Sequence, residues 1–194
     1  MKHNDGILVF ESSCAVVQLS DRLSTVVPYG SIDQEDGNVN HGYIDLIGRP
    51  DLVESVPEVH GYPELGDILR FCNGQSPYFT VGCEKGFFKT EDSDLASTVP
   101  DYLGSYVNIA FRDLEKNTKE DICALAVRIA NEIGDCPYAI WFDLVVERGG
   151  LFGADCHLLF ARIQGYGPTQ QEARRSWGYA CQLFVKALQS SISA

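Results

Sequence analysis

The 194-residue chain is 45 % hydrophobic and 22 % charged, proportions that exclude an intrinsically disordered, collagenous or coiled-coil protein. A chain of this length can bury roughly 70 % of its unfolded surface, so a self-sufficient core is expected. The net charge of -12 is uneven: residues 1–121 carry 21 acidic and 9 basic side chains, residues 122–194 six of each. A negative field of this kind disfavours nucleic acid and anionic membranes and steers association with basic proteins.

In chain order, two short strands come first, Ile7 to Phe10 and Cys14 to Leu19, separated by a hairpin-length gap. Residues 29–42 are rich in glycine, asparagine and aspartate and read as a loop. Alternation over Tyr43 to Ile47 predicts a strand, and Pro50, Pro57 and Pro63 punctuate the next stretch of chain. With Pro63 as an N1 proline, a helix is expected to run to Gly74. Tyr78 to Gly82 and Phe87 to Lys89 read as a hairpin, and Thr90 to Asp101 as an acidic connector.

The pattern then becomes regular. Ser105 to Arg112 alternates as a strand. Thr118 to Asp121 resembles a capping box with aspartate in place of glutamate, ahead of helically spaced Ile122, Leu125, Ala126, Ile129 and Ile133, and Gly134 closes that helix. Tyr138 to Glu147 alternates again, Arg148 to Asp155 reads as a glycine-rich hairpin loop, and Cys156 to Gln164 as its second strand. After Gly165-Tyr166-Gly167-Pro168, a box from Thr169 to Glu172 opens a long amphipathic helix.

The expected fold is α+β: an antiparallel sheet with two helices packed on one face, β-α-β-β-α in the C-terminal half, and a strand-rich N-terminal half. One domain over 1–194 is expected, with a potential subdivision into a strand-rich acidic lobe, 1–101, and the β-α-β-β-α lobe, 102–194. The face of the sheet away from the helices would present Tyr106, Asn108, Arg112, Trp141, Asp143, Glu147 and Arg162, an aromatic and charged mixture of the sort found at interfaces.

No run approaches the roughly 20 apolar residues of a membrane span, and no secretory signal opens the chain, which predicts a cytoplasmic protein. Seven cysteines, odd in number and irregular in spacing, predict a reducing compartment and no disulfide framework. There is no Cys-x-x-Cys, no His-x-x-x-His, no dinucleotide or phosphate-binding glycine motif and no serine-nucleophile elbow, so neither metal nor cofactor is expected. Residues 33–38 have the flavour of a cation loop but place Ile44 where the closing carboxylate belongs. Gly165 to Arg174 resembles the last helix of double-stranded-RNA-binding domains over that segment alone. Gln170 and Gln171 stand where that family carries lysine, and the overall charge opposes RNA.

These features predict a non-enzymatic binding protein that holds or neutralises a basic partner, in the manner of inhibitor, immunity or antitoxin proteins. The expected contacts are the loop acids Asp33, Glu35, Asp36, Glu91, Asp92 and Asp94, with Trp141 or a loop tyrosine as an apolar anchor. The alternative is a small hydrolase or transferase using His41, His60, Cys156 or His157 between the two halves of the chain. A thiolate needs a neighbouring base, and adjacency on a strand points Cys156 and His157 to opposite faces.

Overall fold

The computed structural model describes residues 6–33, 39–88, 101–136 and 139–192, without the side chains of 32, 33, 39, 40, 87, 88 and 101. Its elements are β1 (Ile7–Glu11), β2 (Ala15–Val27), β3 (Ile32–Asp33), β4 (Val39–Asn40), α1 (Pro63–Asn73), β5 (Tyr78–Phe88), β6 (Asp101–Phe111), α2 (Lys119–Ile133), β7 (Ile140–Leu151), β8 (Ala154–Gly167) and α3 (Gln170–Ser190). Short 3-10 turns occupy Pro50–Ser55, Pro57–Val59 and Leu114–Lys116. The fold is α+β, and strands from both halves of the chain join one six-stranded sheet in the order β1-β2-β7-β8-β6-β5.

The sheet is mixed. Four of its neighbouring pairs are antiparallel, but β2 runs parallel to β7, so the wholly antiparallel expectation is corrected at that junction. The connection between these two strands contains α1, β5, β6 and α2, which leaves room for a parallel crossover.

The core follows the strand period. Ile140, Phe142, Leu144 and Val146 of β7 and Leu159, Ala161 and Ile163 of β8 share one buried cluster with side chains of all three helices, among them Leu65, Ile129, Trp177 and Phe184. Both threonines cap their helices: Thr118 Oγ1 accepts from the Asp121 amide at 3.1 Å, and Thr169 Oγ1 from the Glu172 amide at 3.3 Å, each hydroxyl also donating to the carboxylate of the same residue. A second, smaller cluster joins Val27, Phe79, Val81, Ala110, Leu151 and Leu158, with Tyr29, Tyr43 and Ile47 packed against it.

Several local expectations are revised. Tyr43 to Ile47 forms no strand; its alternation instead splits Tyr43 and Ile47, on the small cluster, from Leu46 in the main core. Tyr78 to Phe88 is one long strand, not a hairpin, because β6 pairs with it throughout and a register shift at Thr80/Gly82 absorbs the irregularity. The glycine-rich loop contracts to two residues: Leu151 pairs with Ala154, and Phe152 and Gly153 take positive φ of 52° and 91°, as a tight hairpin turn requires. Cys14 and Cys136 form a disulfide across 122 positions, which corrects the expectation of none. Cys72, Cys83, Cys123, Cys156 and Cys181 are free. No helix of the described residues is long and apolar enough to cross a membrane.

Candidate functional site

The second face of the sheet is covered only in part. Where the strands carry Phe79, Val81, Ala110 and Leu158, the side chains of Val27, Tyr29, Tyr43 and Ile47 pack against them. Beyond that cover the described residues leave a groove of about 780 Å³, with Tyr106, Asn108, Val145, Glu147, Phe160 and Arg162 among its lining residues. The ladder explains the convergence: Tyr106 pairs with Arg162, Asn108 with Phe160, Asp143 with Arg162, and alternate residues of each strand share a face.

One wall of the groove is β2. Its pairing with β7 shifts register between Leu19 and Leu23 and again between Leu23 and Val26, which frees Ser24 and Thr25 to lean over the sheet. Gly149 permits that approach, because a Cβ there would lie 2.6 Å from Leu158 Cδ1 and 3.0 Å from the Thr25 carbonyl oxygen. Across the groove, the Asn108 amide donates to Thr25 Oγ1 at 2.6 Å, while Asn108 Oδ1 has no hydrogen-bond partner although the residue is only 2 % exposed.

A polar chain orders the far end. Asp143 accepts from Trp141 Nε1 and from Gln164 Nε2, both at 2.8 Å, and lies 3.8 Å from the Arg162 guanidinium. Tyr166 in turn donates to Gln164 Oε1, and burial beside the Asp143 charge pushes its phenol up to about 12. Tyr106 stacks on Phe160 with centroids 4.9 Å apart, and burial together with the Glu84 charge raises its phenol too.

A smaller cavity of about 320 Å³ adjoins this groove, sharing Glu84, Lys85 and Tyr106, and is enclosed by the segment from His41 to Glu58. Glu58 and Glu84 supply its carboxylates, while Lys85 Nζ sits 4.0 Å from the centre of the Tyr62 ring. The phenols here hold their protons: burial raises Tyr29, and burial with Asp45 pushes Tyr43 up to about 12. The Cys83 thiol is likewise pushed up to about 12 by burial and the charges of Glu58 and Glu84. The negative charge of the cavity therefore resides on carboxylates alone.

Of the residues singled out from sequence, Glu35, Asp36, Glu91, Asp92 and Asp94 lie outside the described residues, and Asp33 is described only as backbone in β3. His41 lines the small cavity. The other three alternatives disperse. The His60 ring bonds the Glu54 carbonyl at 3.1 Å, and Cys156 packs against the small cluster. His157 is pushed down by burial and by the charge of Lys119. Burial and Asp155 raise the Cys156 thiol to about 11, which suits an inert thiol better than a nucleophile. Trp141 is half-buried and directs its N–H to Asp143.

Tyr106, Asn108, Asp143, Glu147 and Arg162 do come together in the groove. Arg112 does not, since its guanidinium binds the carbonyls of Tyr78 and Gly74 at 2.9 and 2.6 Å. Sequence reasoning missed Phe160, although the alternation of β8 contained it, and missed the β2 wall, whose polar run Ser20 to Thr25 gave no strand signal. Among the described residues no three His, Cys, Asp or Glu side chains group to hold a metal ion.

No protein-family model matches the chain, and comparisons with curated proteins and with solved structures find no match.

Proposed function

We propose that the protein is a non-enzymatic binding protein that holds a basic protein partner across the open face of its sheet. The observation that carries this reading is the small cavity, where the carboxylates of Glu58 and Glu84 stand among phenols and a thiol that stay protonated. Two carboxylates and one ammonium, that of Lys85, line the cavity, and the excess of one negative charge favours an incoming cation. The acids Asp33, Glu35 and Asp36 precede His41 closely in sequence, and together with Glu91, Asp92 and Asp94 they extend the negative field that would steer the partner. An inhibitor, immunity or antitoxin role fits this chemistry; a cytoplasmic site of action requires that the Cys14–Cys136 bridge withstand a reducing compartment.

The test is capture from the native host with the tagged chain at low and high salt, alongside a Glu58→Gln/Glu84→Gln variant. A single basic protein at near-stoichiometric yield is expected with the unmodified chain. Its association rate should fall about threefold to tenfold in the variant at low salt and converge with the original at high salt. Equal rates at low salt would overturn the assignment of this cavity.

A further inference from the structure

We propose that two copies of this chain pair edge to edge, each laying β1 antiparallel to the other's β1 and the neighbouring flank of α2 against the same flank of its partner. The two edges of the six-stranded sheet are built differently. At the start of β5, backbone groups are taken by side chains. The Tyr78 amide donates to Ser76 Oγ at 3.2 Å and the Tyr78 carbonyl accepts from Arg112 Nε at 2.9 Å. The Thr80 amide donates to Asn73 Oδ1 at 3.1 Å, and the Val81 carbonyl accepts from the Tyr29 hydroxyl at 3.3 Å. Glu84 and Lys85 then place charges farther along the same strand. Occupied groups and charges both discourage an edge from recruiting another strand.

On β1 the situation is reversed. Among the described residues no group outside β2 bonds to its backbone, and the run Ile7 to Phe10 carries neither a charge nor a proline. Ile7, Leu8 and Val9 are 68, 54 and 41 % exposed. Beside this edge α2 turns an apolar flank outward, where Leu19, Cys123, Ala124 and Val127 line a groove of about 640 Å³. Ile7 stands opposite Leu19 and Phe10 opposite Val17, so these side chains share the face of the sheet on which α2 packs. A register shift between Leu8 and Phe10 shortens the regular ladder of β1, so an added strand draws on flanking side chains as much as on backbone. Cys123 and Ala124 are short enough to let a second helix come close.

Charge selects a second copy over the basic partner as the occupant. The groove is lined by Lys119 and Arg128 against Glu120 alone, on a chain whose net charge is -12. This flank therefore offers no acidic field to a basic strand, and two acidic chains meet here with little self-repulsion. A two-fold axis through Val9 sets Ile7 opposite Glu11 of the copy and Leu8 opposite its Phe10, so the single charge of β1 never faces its own kind. With the start of β5 occupied, β1 has no matching edge to join head to tail, and association stops at two. About a dozen residues a side is roughly half of a standard interface, which places the dimer in the micromolar range.

Sedimentation equilibrium of the full chain, from about 1 μM to about 1 mM, measures the association, and hydrogen–deuterium exchange at both ends of that range locates it. A monomer–dimer equilibrium is expected, with the amides of Ile7 to Glu11 exchanging more slowly as the dimer fills. Val9→Lys sets two lysines face to face at the axis and should raise the dissociation constant at least about tenfold, with Tm unchanged at dilutions where both proteins are monomeric. Ala124→Glu should do the same from the helix side, so the loss of either variant to misfolding leaves the other as the test. A chain that stays monomeric throughout, or a dimer that both variants leave intact, would overturn the pairing. Amides of β1 protected equally in the dilute monomer would show that the chain itself covers this edge, and would overturn it as well. Species larger than a dimer would overturn the two-fold closure.

Discussion

Gly165 and Gly167 read in the sequence as the lead-in to a capped helix. In the fold they serve contact. A Cβ on Gly165 would fall 2.0 Å from the Trp177 nitrogen, and one on Gly167 would fall 2.6 Å from that of Ala173, so α3 lies directly on the end of β8. Backbone atoms cannot swing aside as a side-chain tip can, and Gly165→Ala is expected to cost at least about 3 kcal/mol, measured by denaturant unfolding. Glu147 makes the opposite case. Among the described residues no hydrogen bond or ion pair holds its carboxylate, so Glu147→Gln should leave stability unchanged to within about 1 kcal/mol. A Tm that falls by several degrees in Glu147→Gln would mean that a partner within the fold supports the carboxylate. Neither residue's role was legible in sequence: a glycine does not announce which backbone approaches it, and a glutamate in an alternating strand looks the same whether solvated or buried.

At the scale of elements, the helices and the strands from Ser105 onward were legible, because their apolar spacing and capping residues agree with the packing they adopt. Strand lengths were not. Ser20 to Thr25 extends β2 on the strength of hydrogen bonds to β7, and Arg148 to Gly150 extends β7 on the same terms, although neither run carries an apolar alternation. Helix pairing depends on a contact equally hidden from periodicity. The Arg174 guanidinium grips both carboxylate oxygens of Glu64, joining α3 to α1, and lies about 5 Å over the rings of Tyr62 and Trp177. Burial alone would raise the Glu64 carboxyl; the bonds from Arg174 hold it below its ordinary 4.5. A depressed carboxyl stabilises the fold above its unfolded value, and that contribution is lost as pH falls from about 4.5 through the folded value. Glu64→Gln should therefore cost about 1–2 kcal/mol at neutral pH and lose its difference from the unmodified protein in acid, as read from unfolding curves at pH 7 and pH 3.

At the scale of the whole molecule, the Cys14–Cys136 disulfide clips the start of β2 to the chain just ahead of β7, where the Phe142 amide also bonds the Cys14 carbonyl at 2.8 Å. A bridge closing a ring of that size restricts the unfolded chain, and its reduction should cost about 3–5 kcal/mol on an entropic account. Unfolding with and without reductant measures the loss, and alkylation before and after denaturation should count five thiols in the oxidised chain and seven in the reduced one. Sequence could not select this pair from seven cysteines, since only the meeting of β2 with β7 makes them neighbours.

That meeting orders events during synthesis. The hairpin of β1 and β2 leaves the ribosome early, but the strand it must lie against is made more than a hundred residues later, about 5 to 25 seconds at ordinary elongation rates. For that interval the edge of β2 that pairs with β7 has no neighbouring strand. Strands made well before β7 are thus seated only with it, and a nascent chain halted before β7 would present an unclaimed sheet edge to whatever chaperone stands nearest.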